Sequence, residues 1–209
     1  MSRQSQTEST RLFDNSVRQC VRYVFCREAD KIPIKRSEIL EQIAPEYRKK
    51  SKNVLVEVEK ELKRVYGYKL VEIKDKDKIL YIVVLDEACD SPPSRTTDLL
   101  QKRILSGALT HIFMSGRPVK EDDMWSFLDK SGLLAEDNIS GRKLLTQQFT
   151  KQLYLSYSKM GEGELARYAF DWGPRANHEL PKKFILQKVA VAFGTDPACW
   201  SEQYKRTLE

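Results

Sequence analysis

Three carboxylates stand side by side at Glu121, Asp122 and Asp123, and clustered carboxylates are what general acid–base chemistry or a divalent cation would use. They follow Pro118-Val119-Lys120 and open a run of helical periodicity. That places them in a first helical turn, where negative charge complements the helix dipole, and catalysis is not needed to explain them. The four cysteines (20, 26, 89 and 199) form no Cys-x-x-Cys pair, and the two histidines, His111 and His178, are far apart in sequence. A zinc site needs four clustered ligands at short spacings, so no metal and no cofactor is expected. No Ser/His/Asp set and no phosphate-cradling glycine loop occurs either. The chain reads as a non-enzyme without a small-molecule substrate, its cysteines reduced.

Cation chemistry remains. Lys and Arg number 36 against 30 Asp and Glu, a formal net charge of +6, which suits a polyanionic partner. Basic residues gather in YRKKSK (47–52) and in a second set formed by Arg142, Lys143 and Lys151 with Arg175, Lys182, Lys183 and Lys188. Lys and Arg release counterions from DNA phosphates, so this second set is the candidate contact with double-stranded DNA. Each lysine taken singly is better explained as a solvated side chain. Arg175 is the unusual member, because it follows YAFDWGP directly. Tyr168, Phe170 and Trp172 alternate as in a strand, and Gly173-Pro174 ends it. A cation held there has two partners within reach, Glu179 or a phosphate, and the ion pair is favoured because a cation beside a buried aromatic is often a packing device.

These groups need elements to hold them. Residues 11–28 place Leu12, Val17, Val21, Val24 and Phe25 at helical spacing. KIPIKRSEIL (31–40) gives an extended entry at Pro33 and a short helix ended by Pro45. A third helix over 51–65 carries Val54, Leu55, Val58, Leu62 and Val65 on one face and stops at Gly67. YKLVEI and KILYIVVL, joined by KDKD, read as a hairpin. Helix, helix, helix, hairpin is the layout of a winged helix. ACDSPPSRTTD (88–98) reads as a linker, and then the same order returns. LLQKRILSGALTHIFMSG is helical, GRPVKEDDMWSFL repeats the logic of KIPIKRSEIL, a third helix is expected within 143–157, and a strand and a further helix over 181–193 follow. Trp200 and Tyr204 are expected to tuck the C-terminus onto the second core. The fold class is α+β, mainly helical, with tandem winged-helix domains: a disordered tail over 1–10, domain A over 11–87, the linker, and domain B over 99–209. No apolar run is long enough to span a bilayer, the N-terminus lacks a hydrophobic signal segment, and an intracellular protein is expected.

KIPIKRSEIL, VYGYKLVEI, LTHIFMSGRPVKEDDMWSFL, RKLLTQQFTKQLYLSY and FDWGPRANHE resemble the MAGE homology domain family in order and spacing over residues 12–208. The resemblance implies a non-catalytic adaptor that binds RING-type ubiquitin ligases. It runs most closely to members that serve as non-SMC elements of the SMC5/6 complex. These imply a RING-type non-SMC subunit, a kleisin non-SMC subunit, SMC heads and double-stranded DNA as partners. They also imply roles in DNA repair, recombination and chromosome maintenance, and a nuclear, chromatin-associated location with a cytoplasmic pool left open. Family members often carry a Leu-Leu pair where the RING partner docks. The matching positions here are Val24 and Phe25, whose larger ring narrows the choice of partner. Phe25 is the better candidate for partial exposure. Leu105, Leu109, Phe113, Trp125 and Leu153 are core residues by periodicity, and the resemblance makes them candidates for lining a kleisin groove. Alternatives are a free-standing MAGE regulator of a RING ligase and a winged-helix transcription regulator. The heavily apolar third helix of the second unit argues against sequence-specific reading.

Overall fold

No proline or glycine interrupts residues 3–28, and the first helix, α1 (Arg3–Glu28), uses that whole length. It begins well inside the stretch read as a disordered tail over 1–10. The structure, a computed structural model, describes residues 3–75, 78–87, 98–161 and 166–208. The chain divides into two compact units, 1–87 and 88–209. The linker expected over 88–98 lies outside the described residues except for Asp98.

In the first unit α1 turns Val17, Cys20 and Val24 inward. β1 (Ile34–Lys35) leads into α2 (Arg36–Glu41), whose start is held by the Lys35 amide donating to Glu38 Oε2 at 3.3 Å. A 3-10 turn (Pro45–Lys50) leads into α3 (Ser51–Glu61), which buries Val54 and Val58 against α1. β2 (Tyr68–Asp75) and β3 (Lys78–Leu85) complete an antiparallel sheet of order β1-β3-β2, with Ile34 opposite Tyr81 and Tyr68 opposite Leu85. One expectation fails here. The chain leaves α3 through a π turn, Leu62–Tyr66, which adds a residue to the helical repeat. Leu62 still reaches the core, but Val65 is rotated out and is 54% exposed. Gly67 then takes φ 68°, a left-handed conformation that favours glycine, and turns the chain into β2.

The second unit repeats this plan. α4 (Leu99–Ser115) starts at Asp98, whose Oδ1 accepts from the Leu100 amide at 2.9 Å and the Gln101 amide at 3.3 Å. β4 (Val119–Lys120) opens α5 (Glu121–Lys130). α6 (Ile139–Lys143) runs on through a second π turn, Leu144–Phe149. β5 (Leu155–Met160) and β6 (Arg167–Trp172) form an antiparallel sheet of order β4-β6-β5. α7 (Pro174–Glu179), α8 (Lys182–Phe193), a 3-10 turn (Pro197–Cys199) and α9 (Ser201–Lys205) follow. The third helix therefore spans less of 143–157 than its apolar content suggested. Leu153 adopts φ 63°, and Leu155–Tyr157 belong to β5.

The stretch after β6 fixes that turn. A Cβ added at Gly173 would stand 2.2 Å from the Leu153 carbonyl oxygen, so only glycine fits. The Gly173 amide donates to the Tyr154 carbonyl at 2.8 Å, and the Arg175 amide to the Leu153 carbonyl at 3.0 Å. Arg175 is 1% exposed. Its Nη1 donates to Glu179 Oε1 at 3.0 Å and its Nε to the Gln152 carbonyl at 2.8 Å, and the guanidinium lies 5.7 Å from the Tyr154 ring centre. Tyr154 Oη donates to the other carboxylate oxygen of Glu179 at 2.5 Å. Glu179→Ala strands the buried guanidinium and is expected to cost about 3–5 kcal/mol. Arg175→Met/Glu179→Leu, which removes both charges, is expected to lose far less. Urea-unfolding midpoints at constant m-value check both.

Candidate protein and nucleic-acid interfaces

α1 separates its two interface candidates. Val24 is 0% exposed and belongs to the core, which removes it from the surface. The next residue, Phe25, is half-buried and stacks on Tyr66, with ring centres 4.4 Å apart and planes 29° apart. The Phe25 edge meets Tyr68 at 6.2 Å. Phe25, Val65 and Tyr66 line a groove of about 710 Å³ between α1 and the end of α3. The π turn that rotates Val65 outward thus builds one wall of the groove. Sequence periodicity missed this wall, although the run of apolar residues in VYGY beside a left-handed glycine is a signal that the stripe ends there. An apolar floor with charged neighbours is the anatomy of a protein interface.

Three of the kleisin-groove candidates are core residues. Leu109, Phe113 and Trp125 are each 2% exposed and pack in the core of the second unit. Leu105 is partly buried against that core, and Leu153 stands in the turn clamped by Gly173. The reason is geometric: a winged-helix unit has one core, and the apolar stripe of α4 has nowhere else to go. Of the three clustered acids, Glu121 is structural. It accepts from Trp125 Nε1 at 3.2 Å and from Tyr157 Oη at 2.7 Å. Burial and that carboxylate push the Tyr157 phenol far above its ordinary range.

The basic candidates separate by burial. Arg175 is locked in its ion pair and cannot reach a phosphate, so it leaves the set. Arg142 lies over the Trp125 ring at 4.9 Å with its Nε donating to the Glu136 carbonyl at 2.8 Å. Lys182 sits 5.9 Å from the Trp172 ring centre. Lys143 and Lys151, either side of the second π turn, are exposed, as are Lys183 and Lys188 on α8. Trp172 itself is only partly buried, and its indole nitrogen donates to the Leu109 carbonyl at 2.9 Å. Cys20 is buried, which pushes its thiol up to about 11, while Cys26 and Cys199 are exposed and Cys89 lies outside the described residues. Among the described residues no cluster of His, Cys, Asp and Glu could hold a metal ion, and no helix is long and apolar enough to cross a membrane.

The model of the MAGE homology domain matches residues 20–98 and again 86–183. The chain belongs to the MAGE homology domain family. It is 32% identical over 200 residues to the non-structural maintenance of chromosomes element 3 homolog of Mus musculus, covering 92% of this chain and 71% of that protein. The human homolog of the same name is 31% identical over 206 residues, covering 96% and 68%. A chain of the solved Nse1-Nse3-Nse4 complex superposes with a TM-score of 0.82 at 28% identity, covering 100% of both chains. In this MAGE homology domain the Phe25 groove and the exposed lysines of the second unit are candidate contact surfaces.

His111 adds a pH dependence to that second unit. Its ring stacks on Phe127 with centres 4.1 Å apart, and burial lowers its pKa below 6.5 against the opposing pull of Asp123. The unfolded chain therefore takes up the proton more readily than the folded one. The neutral ring's contribution is complete above the unfolded value and is lost as pH falls through the folded value. Melting temperature is expected to fall less between pH 7 and 5 in His111→Gln than in the parent, and thermal melts across that range check it.

Proposed function

We propose that this chain is a non-catalytic adaptor subunit of an SMC5/6 complex. It joins a RING-type subunit and a kleisin near the SMC heads and works on chromatin in the nucleus, in DNA repair, recombination and chromosome maintenance. The observation that carries this reading is the end-to-end likeness to a chain of the Nse1-Nse3-Nse4 complex at a TM-score of 0.82. The relatives named for non-structural maintenance of chromosomes, matched over most of their length, support it.

The RING-type subunit docks in the Phe25 groove. Stacked aromatics with exposed Val65 beside them offer the desolvatable centre that interfaces use as hot spots. The kleisin engages the second unit, a role that rests on the likeness alone. Duplex DNA lies against Lys143, Lys151, Lys183 and Lys188, whose exposed ammonium groups suit phosphate contacts without base reading.

Two measurements test this. Co-expressed with the RING-type subunit of its own organism, the chain is expected to elute as a one-to-one complex, and Phe25→Asp abolishes the peak. Val65→Asp, at an exposed position, does the same without a folding defect. Co-elution that survives both variants would remove the groove from the interface. In gel-shift titrations, Lys143→Glu/Lys151→Glu is expected to weaken duplex binding regardless of sequence and to flatten the salt slope by about one unit per lost phosphate contact.

A further inference from the structure

A second groove, of about 830 Å³, lies between α4, α5 and the β4–β6 edge of the second unit, and none of the residues assigned above to a partner lines it. Its floor is apolar. Phe127 carries the stacked His111, while Met160 and Tyr168 are 48% and 46% exposed. Its rim is cationic: Arg117, Lys120, Lys130 and Arg167 line it, all exposed, against the single carboxylate of Asp123. The groove of the first unit differs in this respect, since Asp14, Glu57 and Glu61 there balance Arg18, Arg22 and Arg64. The excess positive charge distinguishes this groove from that of the first unit.

The backbone supplies an independent observation. β4 pairs only with Ala169 and Phe170 of β6. Tyr168 continues past the end of β4, with Lys159 of β5 as its ladder partner on the far side. After Lys120 the chain turns away into α5, so the position beside Tyr168 that a longer β4 would occupy belongs to the groove. Among the described residues nothing continues β4 along that edge, and an open edge accepts an added strand.

We propose that this groove binds an extended acidic segment of a partner protein, which continues the line of β4 beside β6. Side chains of a strand alternate, so acidic residues at every second position meet the cationic rim while apolar residues between them reach Phe127 and Met160. A single nucleic-acid strand would need free ring faces to stack on. Here one face of each ring is already taken: His111 and Phe127 stack with planes 1° apart, and Tyr168 stacks on Tyr157 at 4.8 Å.

The test uses the chain alone and so does not depend on the adaptor reading. Its probe is a fluorescein-labelled peptide of alternating Glu and Val, long enough to span β6, read by anisotropy. Saturable binding is expected. Lys120→Glu/Lys130→Glu is expected to weaken it about tenfold or more, while Lys143→Glu/Lys151→Glu leaves it unchanged. Both rim positions are exposed, and an unaltered melting temperature certifies the fold; Arg117→Glu serves as the second rim variant. Proline in place of valine removes the ladder donors and is expected to abolish binding. Equal affinity in the rim variants, or for the proline peptide, would overturn the proposal. So would displacement of the peptide by an oligo(dT) strand that binds more tightly than it does.

Discussion

A guanidinium taken fully out of water has to be met by hydrogen bonds and a counter-charge, and the second unit is arranged around that requirement at Arg175. Glu179 supplies the carboxylate from the same short helix, Tyr154 holds the carboxylate's other oxygen, and the Gln152 carbonyl takes the Nε proton. Three segments therefore converge on one charge: the end of the third helix, the turn through Leu153, and the exit from β6. Gly173 allows the convergence, because any side chain there would drive the β6 exit away from the Leu153 carbonyl. The left-handed Leu153 is tolerated because its neighbours over-determine it. Once this corner is set, β5 and β6 are in register, and β6 in turn receives β4.

The two units solve the same problem with different fastenings. Each opens its second helix from a two-residue strand that pairs into the sheet, at Ile34-Lys35 and at Val119-Lys120. Each runs its third helix through a π turn. The first unit closes with a simple left-handed glycine at Gly67, whereas the second closes with the buried ion pair and then adds α7, α8 and α9. That C-terminal extension fastens the end of α4. Gln203 Nε2 donates to the Met114 carbonyl at 2.8 Å and Arg206 to the Gly116 carbonyl at 2.7 Å, with Trp200 packed against the core nearby. Tyr204, expected to tuck in with Trp200, is 42% exposed.

Much of this organisation was legible in the chain because it follows from periodicity and punctuation. Helical spacing in residues 11–28, the Pro-apolar-Lys repeat and the alternation of Tyr168, Phe170 and Trp172 each map to an element that exists. What periodicity does not encode is a change of period. The π turn at Leu62–Tyr66 moved Val65 from the core stripe to the surface, and the left-handed Leu153 ended a helix that apolar content alone would have continued. The sites were less legible for a related reason. Charge in a sequence has no burial attached to it, so Arg175 stood among the DNA-contact candidates even though its pairing with Glu179 was the favoured reading, and only packing separates it from the exposed lysines. The reverse holds for Arg117, Lys120, Lys130 and Arg167, which are scattered along the chain and share a rim only after folding.

The first π turn, Leu62–Tyr66, differs from plain helix by a heritable unit. It is one residue more than an α-helix needs over the same span, so it is the kind of feature that a single-codon insertion creates and a single-codon deletion erases. Deleting it would wind Leu62–Tyr66 back into register and carry Val65 inward, leaving the core nearly as it was and the wall of the Phe25 groove gone. One genetic step could thus make or unmake the wall of this groove.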